Sequence, residues 1–223
     1  MPPTNLISKM ANKSRLMELG SAFFSAAGRS GTMTVLEQIL EANRRFIANP
    51  PLSFPVTAAK PSKLPRRQLA IFTCMDTRLV DFLEPAVGIR REDAVVIKNA
   101  GNSITGPFET TIRSLLLAVF ELGVKEILVI GHEDCGAAHA TPAGLITKML
   151  DRGISADAVK MVEGQLAAWL DNIHQPESNV AKVVERIRAN PLVPRDIPVH
   201  GLLFDPVSGE IRIIIDGYQA LAE

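Results

Sequence analysis

Two unbroken apolar runs, Leu69-Ala-Ile-Phe72 and Ile127-Leu-Val-Ile130, constrain the fold of this chain more than any other feature. Neither alternates apolar with polar residues, so neither suits a strand with one face in water. Both suit central strands of a parallel sheet covered on two sides. Such sheets present ligands at the carboxyl ends of their strands, and each run breaks there into reactive side chains. The first continues as Thr73-Cys74-Met75-Asp76-Thr77-Arg78, the second as Gly131-His132-Glu133-Asp134-Cys135-Gly136. Cys74, Asp76 and Arg78 stand at every second position and project to one side if the chain stays extended. His132 and Cys135, three apart, face one point if a turn begins between them.

The 223 residues, 47% of them hydrophobic, suit one α/β domain with a full core. Between the two runs, Asp93 to Lys98 contains a further strand. Phe108, Ile112, Leu115, Leu116, Val119 and Phe120 then make one face of a crossover helix that Gly123 ends. A brief helix is expected over Leu79 to Leu83. Beyond Cys135 the pattern is helical over Ala137 to about Asp151 and over Ala156 to Ile173. A third helix opens at Pro176 and stops at Asn190-Pro191. Val199 to Phe204 reads as a fourth parallel strand, and the turn Asp205 to Gly209 leads into Ile211, Ile213 and Ile215, a hairpin strand. The expected architecture is a mainly parallel central sheet of about four strands plus an antiparallel edge strand, flanked by helices.

Residues 1–32 read differently from the rest. Lys9, Lys13, Arg15 and Arg29 stand against Glu18 alone, with Ser, Ala and Gly throughout. We expect a flexible extension or an over-long start, although the composition faintly resembles an organelle presequence. Residues 33–223 are expected to form a single domain. Val35, Leu36, Ile39, Leu40, Phe46 and Ile47 give Met33 to Ala48 one apolar face, that of an amphipathic helix. Five prolines between Asn49 and Pro65 then forbid regular helix and point to an extended arm. The helix fits the chain's own core and a second subunit equally well. The 24 basic and 24 acidic residues cancel without a basic stripe, which argues against nucleic-acid binding. No apolar segment approaches the roughly 20 residues needed to cross a bilayer, so a soluble, cytoplasmic protein is expected.

Both cysteines of the chain therefore lie at the ends of expected parallel strands, each beside other ligand-type residues. Cys74, His132 and Cys135 make a Cys2His set whose free fourth position is the pattern of a catalytic zinc. Two cysteines in such a chain also fit buried apolar fillers, or a disulfide pair, which the absence of an export signal disfavours.

In this order, Cys74-x-Asp76-x-Arg78 followed by His132-x-x-Cys135 resembles the β-class carbonic anhydrases, and most nearly their shorter bacterial branch. Lys98-Asn99-Ala100-Gly101 resembles that family's strand-end loop, and Thr111 to Leu115 the helix that follows it. The likeness spans about Met33 to Gly217. It implies one Zn2+ per chain and reversible hydration of carbon dioxide to bicarbonate by zinc-bound hydroxide. It also implies a homodimer or dimer of dimers, in which the leading helix and arm pack on a second subunit. Asp76 and Arg78 have two offices here. Paired to Arg78, the carboxylate orients hydroxide; freed, it takes the fourth zinc position and closes the site. Relatives on this fold hydrolyse carbon disulfide or carbonyl sulfide with the same ligands, and a zinc kept only to hold a binding or regulatory protein is a further alternative. Gly101 reads either as a place where backbone approaches the substrate or as a plain turn glycine. His139, His174 and His200 are surface or packing histidines before they are proton relays. Glu133 and Asp134 are read as solvated groups or loop holders.

Overall fold

The computed structural model describes residues 33–51, 62–171, 173 and 175–219. The expectations for residues 1–32, for most of the proline arm (52–61) and for His174 lie outside them. The chain divides into two compact units, residues 1–60 and 61–223.

In the first unit the helix α1 is Val35–Ala48, starting two residues after the expected Met33 because Thr34 caps it. The Thr34 hydroxyl accepts from the Glu37 backbone N–H while the Glu37 carboxylate accepts from the Thr34 N–H, a reciprocal cap that satisfies two orphan donors. None of its residues is buried; Val35, Leu36, Ile39, Leu40 and Ile47 are all exposed.

The second unit is built on a five-stranded sheet ordered β2-β1-β3-β4-β5, with β1 Leu69–Cys74, β2 Ala94–Asn99, β3 Glu126–His132, β4 Val199–Phe204 and β5 Ile211–Ile215. The first four run parallel and β5 lies antiparallel to β4 at the edge, as the hairpin signal requires. All six residues of β1 are buried, and the unalternating run finds cover on both faces. On one side Ala70, Phe72, Ile127 and Val129 pack with helices α3, Thr110–Phe120, and α6, Pro176–Ala189. On the other, Leu69, Ile71 and Ile130 pack with Leu79, Leu83 and Phe204. The chain leaves β1 for β2 on one flank and returns through α3 to β3 on the other. The carboxyl ends of β1 and β3 thus flank the point where strand order reverses, the place where open α/β sheets bind ligands.

Several local expectations change. The strand ends at Cys74, and Thr77–Leu79 form a 3-10 turn that the Asp76 carboxylate caps by accepting from the Arg78 N–H; Asp76 and Arg78 are brought together by that turn rather than by extended alternation. The helix expected over Leu79 to Leu83 is this turn followed by the short helix α2, Leu83–Ala86. Helix α4 starts at Pro142, not Ala137, because Pro142 lacks an N–H and suits the first helical turn, with Thr141 as its cap. Residues Gly136–His139 form a separate 3-10 turn. Helix α5 covers Ala156–Leu170, and Ile173 is buried beyond it. Phe108 and Phe120 are exposed rather than on the buried face of α3, which Thr111, Ile112, Leu115 and Ala118 supply. Phe108 precedes the helix and lies under the Arg113 guanidinium. No helix among the described residues is long and apolar enough to cross a membrane.

Candidate metal centre

Cys74, the last residue of β1, and His132, the last of β3, are delivered to one place by neighbouring strands, and Cys135 returns to it after a two-residue loop. All three are buried, and neither cysteine is in a disulfide. The sulfurs of Cys74 and Cys135 are 3.9 Å apart, and the three ligand atoms lie within 4.8 Å of one another. Among the described residues this is the one such group of His, Cys, Asp and Glu side chains.

The tautomer of His132 follows from its neighbours. Nδ1 is 2.8 Å from the Glu133 carbonyl oxygen, which can only accept, so Nδ1 carries the proton and Nε2 offers a lone pair. Nε2 is buried without a partner in hydrogen-bond geometry. A ring held from behind, with its other nitrogen orphaned beside two sulfurs, is the arrangement of a metal-ligating histidine. Two thiols and an imidazole form the tetrahedral, sulfur-rich donor set that zinc prefers, with one position left over. The residues fit the metal that the sequence implied.

The electrostatics agree. The Cys74 thiol is pulled below its ordinary range by the hydrogen bond from Cys135, against burial, with help from His132 and from the backbone N–H groups of Asp76 and Gly101. Cys135 moves up correspondingly, since Cys74 and burial both disfavour a second thiolate. Burial acts most strongly on His132 and lowers it, but Cys74, the Glu133 carbonyl and Asp76 together leave it raised.

Asp76 reaches this group from the side. Its Oδ2 is 3.7 Å from His132 Nε2, while Arg78 holds the carboxylate through Nε at 3.0 Å and a terminal nitrogen at 2.9 Å. The guanidinium, with the Arg78 backbone N–H assisting against burial, lowers the Asp76 carboxyl to about 2. Gly101 lines the small space beside Cys74, His132 and Cys135, together with Ile173, Pro176 and Asn179. Its φ of 72° belongs to the left-handed region, and a Cβ there would stand 2.8 Å from Ile173 Cδ1. Sequence reasoning misses Asn179 and Asn102, and names Asp134 as a solvated group or loop holder without its partner. Asn179 Nδ2 on α6 donates to the carbonyls of Gly101 and Asn102, and Asn102 Nδ2 donates to Phe72 O, which together clamp the loop. Asp134 accepts from Arg78 across the site. No local sequence signal marks these long-range bonds. Glu133 is exposed, with Arg212 at 3.5 Å. His139 is exposed and contacts Asp134 at 3.2 Å. His200 sits four residues before the end of β4, opposite Leu128, among Glu126, Asp216 and Tyr218, away from the ligands.

Fold and site together define an α/β protein with a buried Cys2His group that could hold a metal ion at the switch point of its sheet. A family profile described as carbonic anhydrase matches residues 69–211. The chain belongs to the β-carbonic anhydrase family, a family of enzymes. YvdA of Bacillus subtilis (strain 168) is 35% identical over 190 residues, 84% of this chain and 94% of the relative. The crystal structure of β-carbonic anhydrase isoform I from Trichomonas vaginalis superimposes with a TM-score of 0.78 at 43% identity, covering 83% of this chain and all of that one. A carbon disulfide hydrolase of Acidithiobacillus thiooxidans is 31% identical over 157 residues, 66% of this chain and 76% of its own.

Proposed function

We propose that the chain catalyses the reversible hydration of carbon dioxide to bicarbonate on one zinc ion held by Cys74, His132 and Cys135. The observation that carries this reading is the orphaned, buried Nε2 of His132 facing two sulfurs, with an ionised carboxylate beside them. When bound, zinc supplies a Lewis acid that makes hydroxide available near neutral pH.

The residues divide the remaining work. The Glu133 carbonyl fixes the His132 ring. Asp76, held ionised by Arg78, is a hydrogen-bond acceptor beside the ligand set and orients the attacking O–H. The same carboxylate is near enough to the ligands to turn onto the metal once Arg78 releases it, which gives a closed arrangement. Gly101 stands beside Cys74 in the lining of the substrate space, and the small glycine brings the backbone close to it. The exposed apolar stripe of α1 supports assembly as a homodimer or dimer of dimers.

Carbon disulfide hydrolysis is a second reading, favoured by the Acidithiobacillus relative. Both substrates are linear, uncharged and attacked at carbon, so the ligands serve either. Stopped-flow hydration of carbon dioxide and release of hydrogen sulfide from carbon disulfide, each with native, chelated and zinc-restored protein, separate the two. Hydration that chelation abolishes and zinc restores is expected. Sulfide release without hydration would transfer the site to the second substrate, and zinc-loaded protein inactive in both assays would leave the metal a purely structural role.

A further inference from the structure

The two loops that carry the metal ligands are joined by a bridge that contains none of Cys74, His132 and Cys135. Cys74 stands at the exit of β1, His132 and Cys135 at the exit of β3, and the Arg78 guanidinium lies between the loops. Towards its own loop it donates to Asp76 from Nε at 3.0 Å and from Nη2 at 2.9 Å. Towards the opposite loop it donates from Nη1 to Asp134 Oδ2 at 3.0 Å and from Nη2 to the Asp134 carbonyl at 2.7 Å. Asp134 meets it with a φ of 50°, a left-handed conformation that a residue other than glycine keeps only where its surroundings impose it. A lone exposed ion pair contributes little, because ordering the side chains offsets the attraction. Arg78 differs: once Asp76 has ordered it, the bonds to Asp134 immobilise no further arginine rotor, and the rigid fork spans both partners.

We propose that Asp134 is a positioning residue of the metal centre: through Arg78 it fastens the loop of His132 and Cys135 to the loop of Cys74, so that the ligand atoms stand together before the metal enters. Asp134 touches neither metal nor substrate. The inference rests on Cys74, His132 and Cys135 being the zinc ligands. Asp134 has one other partner, His139 Nε2 at 3.2 Å, and its contribution must be separated.

The test is the zinc dissociation constant of the full chain, measured by competition with a chelator. Asp134→Gly deletes the carboxylate without straining the left-handed backbone, and Asp134→Asn keeps a neutral acceptor there. Supporting groups behind metal ligands are worth about 10- to 100-fold in affinity, so Asp134→Gly should weaken binding about tenfold, with Asp134→Asn in between. In an Arg78→Ala background the bridge is already gone, and Asp134→Gly should add less than about a twofold loss. His139→Ala should leave affinity unchanged. A merely structural Asp134 would instead lower affinity equally in both backgrounds, and that additivity would overturn the proposal, as would wild-type affinity in Asp134→Gly. A wild-type chain that takes up no zinc would overturn the ligand assignment itself, an outcome read before any variant is made.

Discussion

Arg78 can hold the Asp76 carboxylate only while that carboxylate is ionised, and this makes the pair sensitive to acid. In the metal-free protein the Asp76 carboxyl is lowered to about 2 by Arg78. A folded-state value below the unfolded one stabilises the fold at any pH above the ordinary carboxylate range near 4, and the contribution disappears as pH falls through about 2. Urea titrations of metal-free wild type and Asp76→Asn should therefore differ at pH 5 and converge towards pH 2; parallel curves over that range would show that the pair contributes nothing. With zinc bound, Arg78→Lys should lower hydration activity about tenfold or more, because a single ammonium cannot reproduce the two-point grip and the carboxylate is released towards the metal. Asp76→Asn should retain zinc and lose most activity, having lost the acceptor for the attacking O–H. X-ray absorption of the zinc shell in Arg78→Lys at low and high pH checks the cause; a shell and activity equal to wild type at both would exclude a gate. Gly101→Ala belongs to the same scale: its left-handed φ and the 2.8 Å approach to Ile173 should cost about 1–2 kcal/mol, seen as a lower melting temperature.

At the scale of elements, what was legible in the sequence was whatever depends on near neighbours. The unalternating runs located β1 and β3, because a strand buried on both faces leaves that pattern wherever it lies in a chain. The hairpin into β5 was equally local, and so was the apolar face of α1. What escaped was set at longer range. Phe108 and Phe120 look like core residues by spacing, yet which face of α3 is buried depends on where the sheet lies. The Asp134 contact joins two loops, and the Asn179 contact a helix to a loop, that are far apart in the sequence. Helix α1 poses the opposite case, a legible apolar face whose cover the sequence leaves open. If it packs on a second subunit, deleting residues 1–32 should leave the oligomer intact, whereas cutting through residue 50 should give monomers or aggregate. Sedimentation of both truncations measures this, and an active, well-behaved monomer from the longer deletion would rule out the helix as an assembly element.

For the molecule as a whole, the metal site and the fold should be thermodynamically linked. The proposed ligands come from the ends of two central strands and the loop between β3 and α4, so an ion bound there would tie together the part of the sheet where strand order reverses. An ion that binds the native chain and not the unfolded one stabilises it by about 4 kcal/mol at a thousandfold excess over its dissociation constant. For a chain of this size each kcal/mol moves the melting temperature by about 2–4 °C, so zinc loading should raise it by roughly 8–16 °C. The thiols and the imidazole must lose protons to bind, so this increment should shrink as pH falls. Elemental analysis should find about one zinc per chain, and Cys135→Ser should both lose the metal and abolish the difference in melting temperature between chelated and restored samples. Equal melting of native and chelated wild type would mean that the ion does not bind the native chain in preference to the unfolded one. Full zinc retention in Cys135→Ser would remove Cys135 from the ligand set.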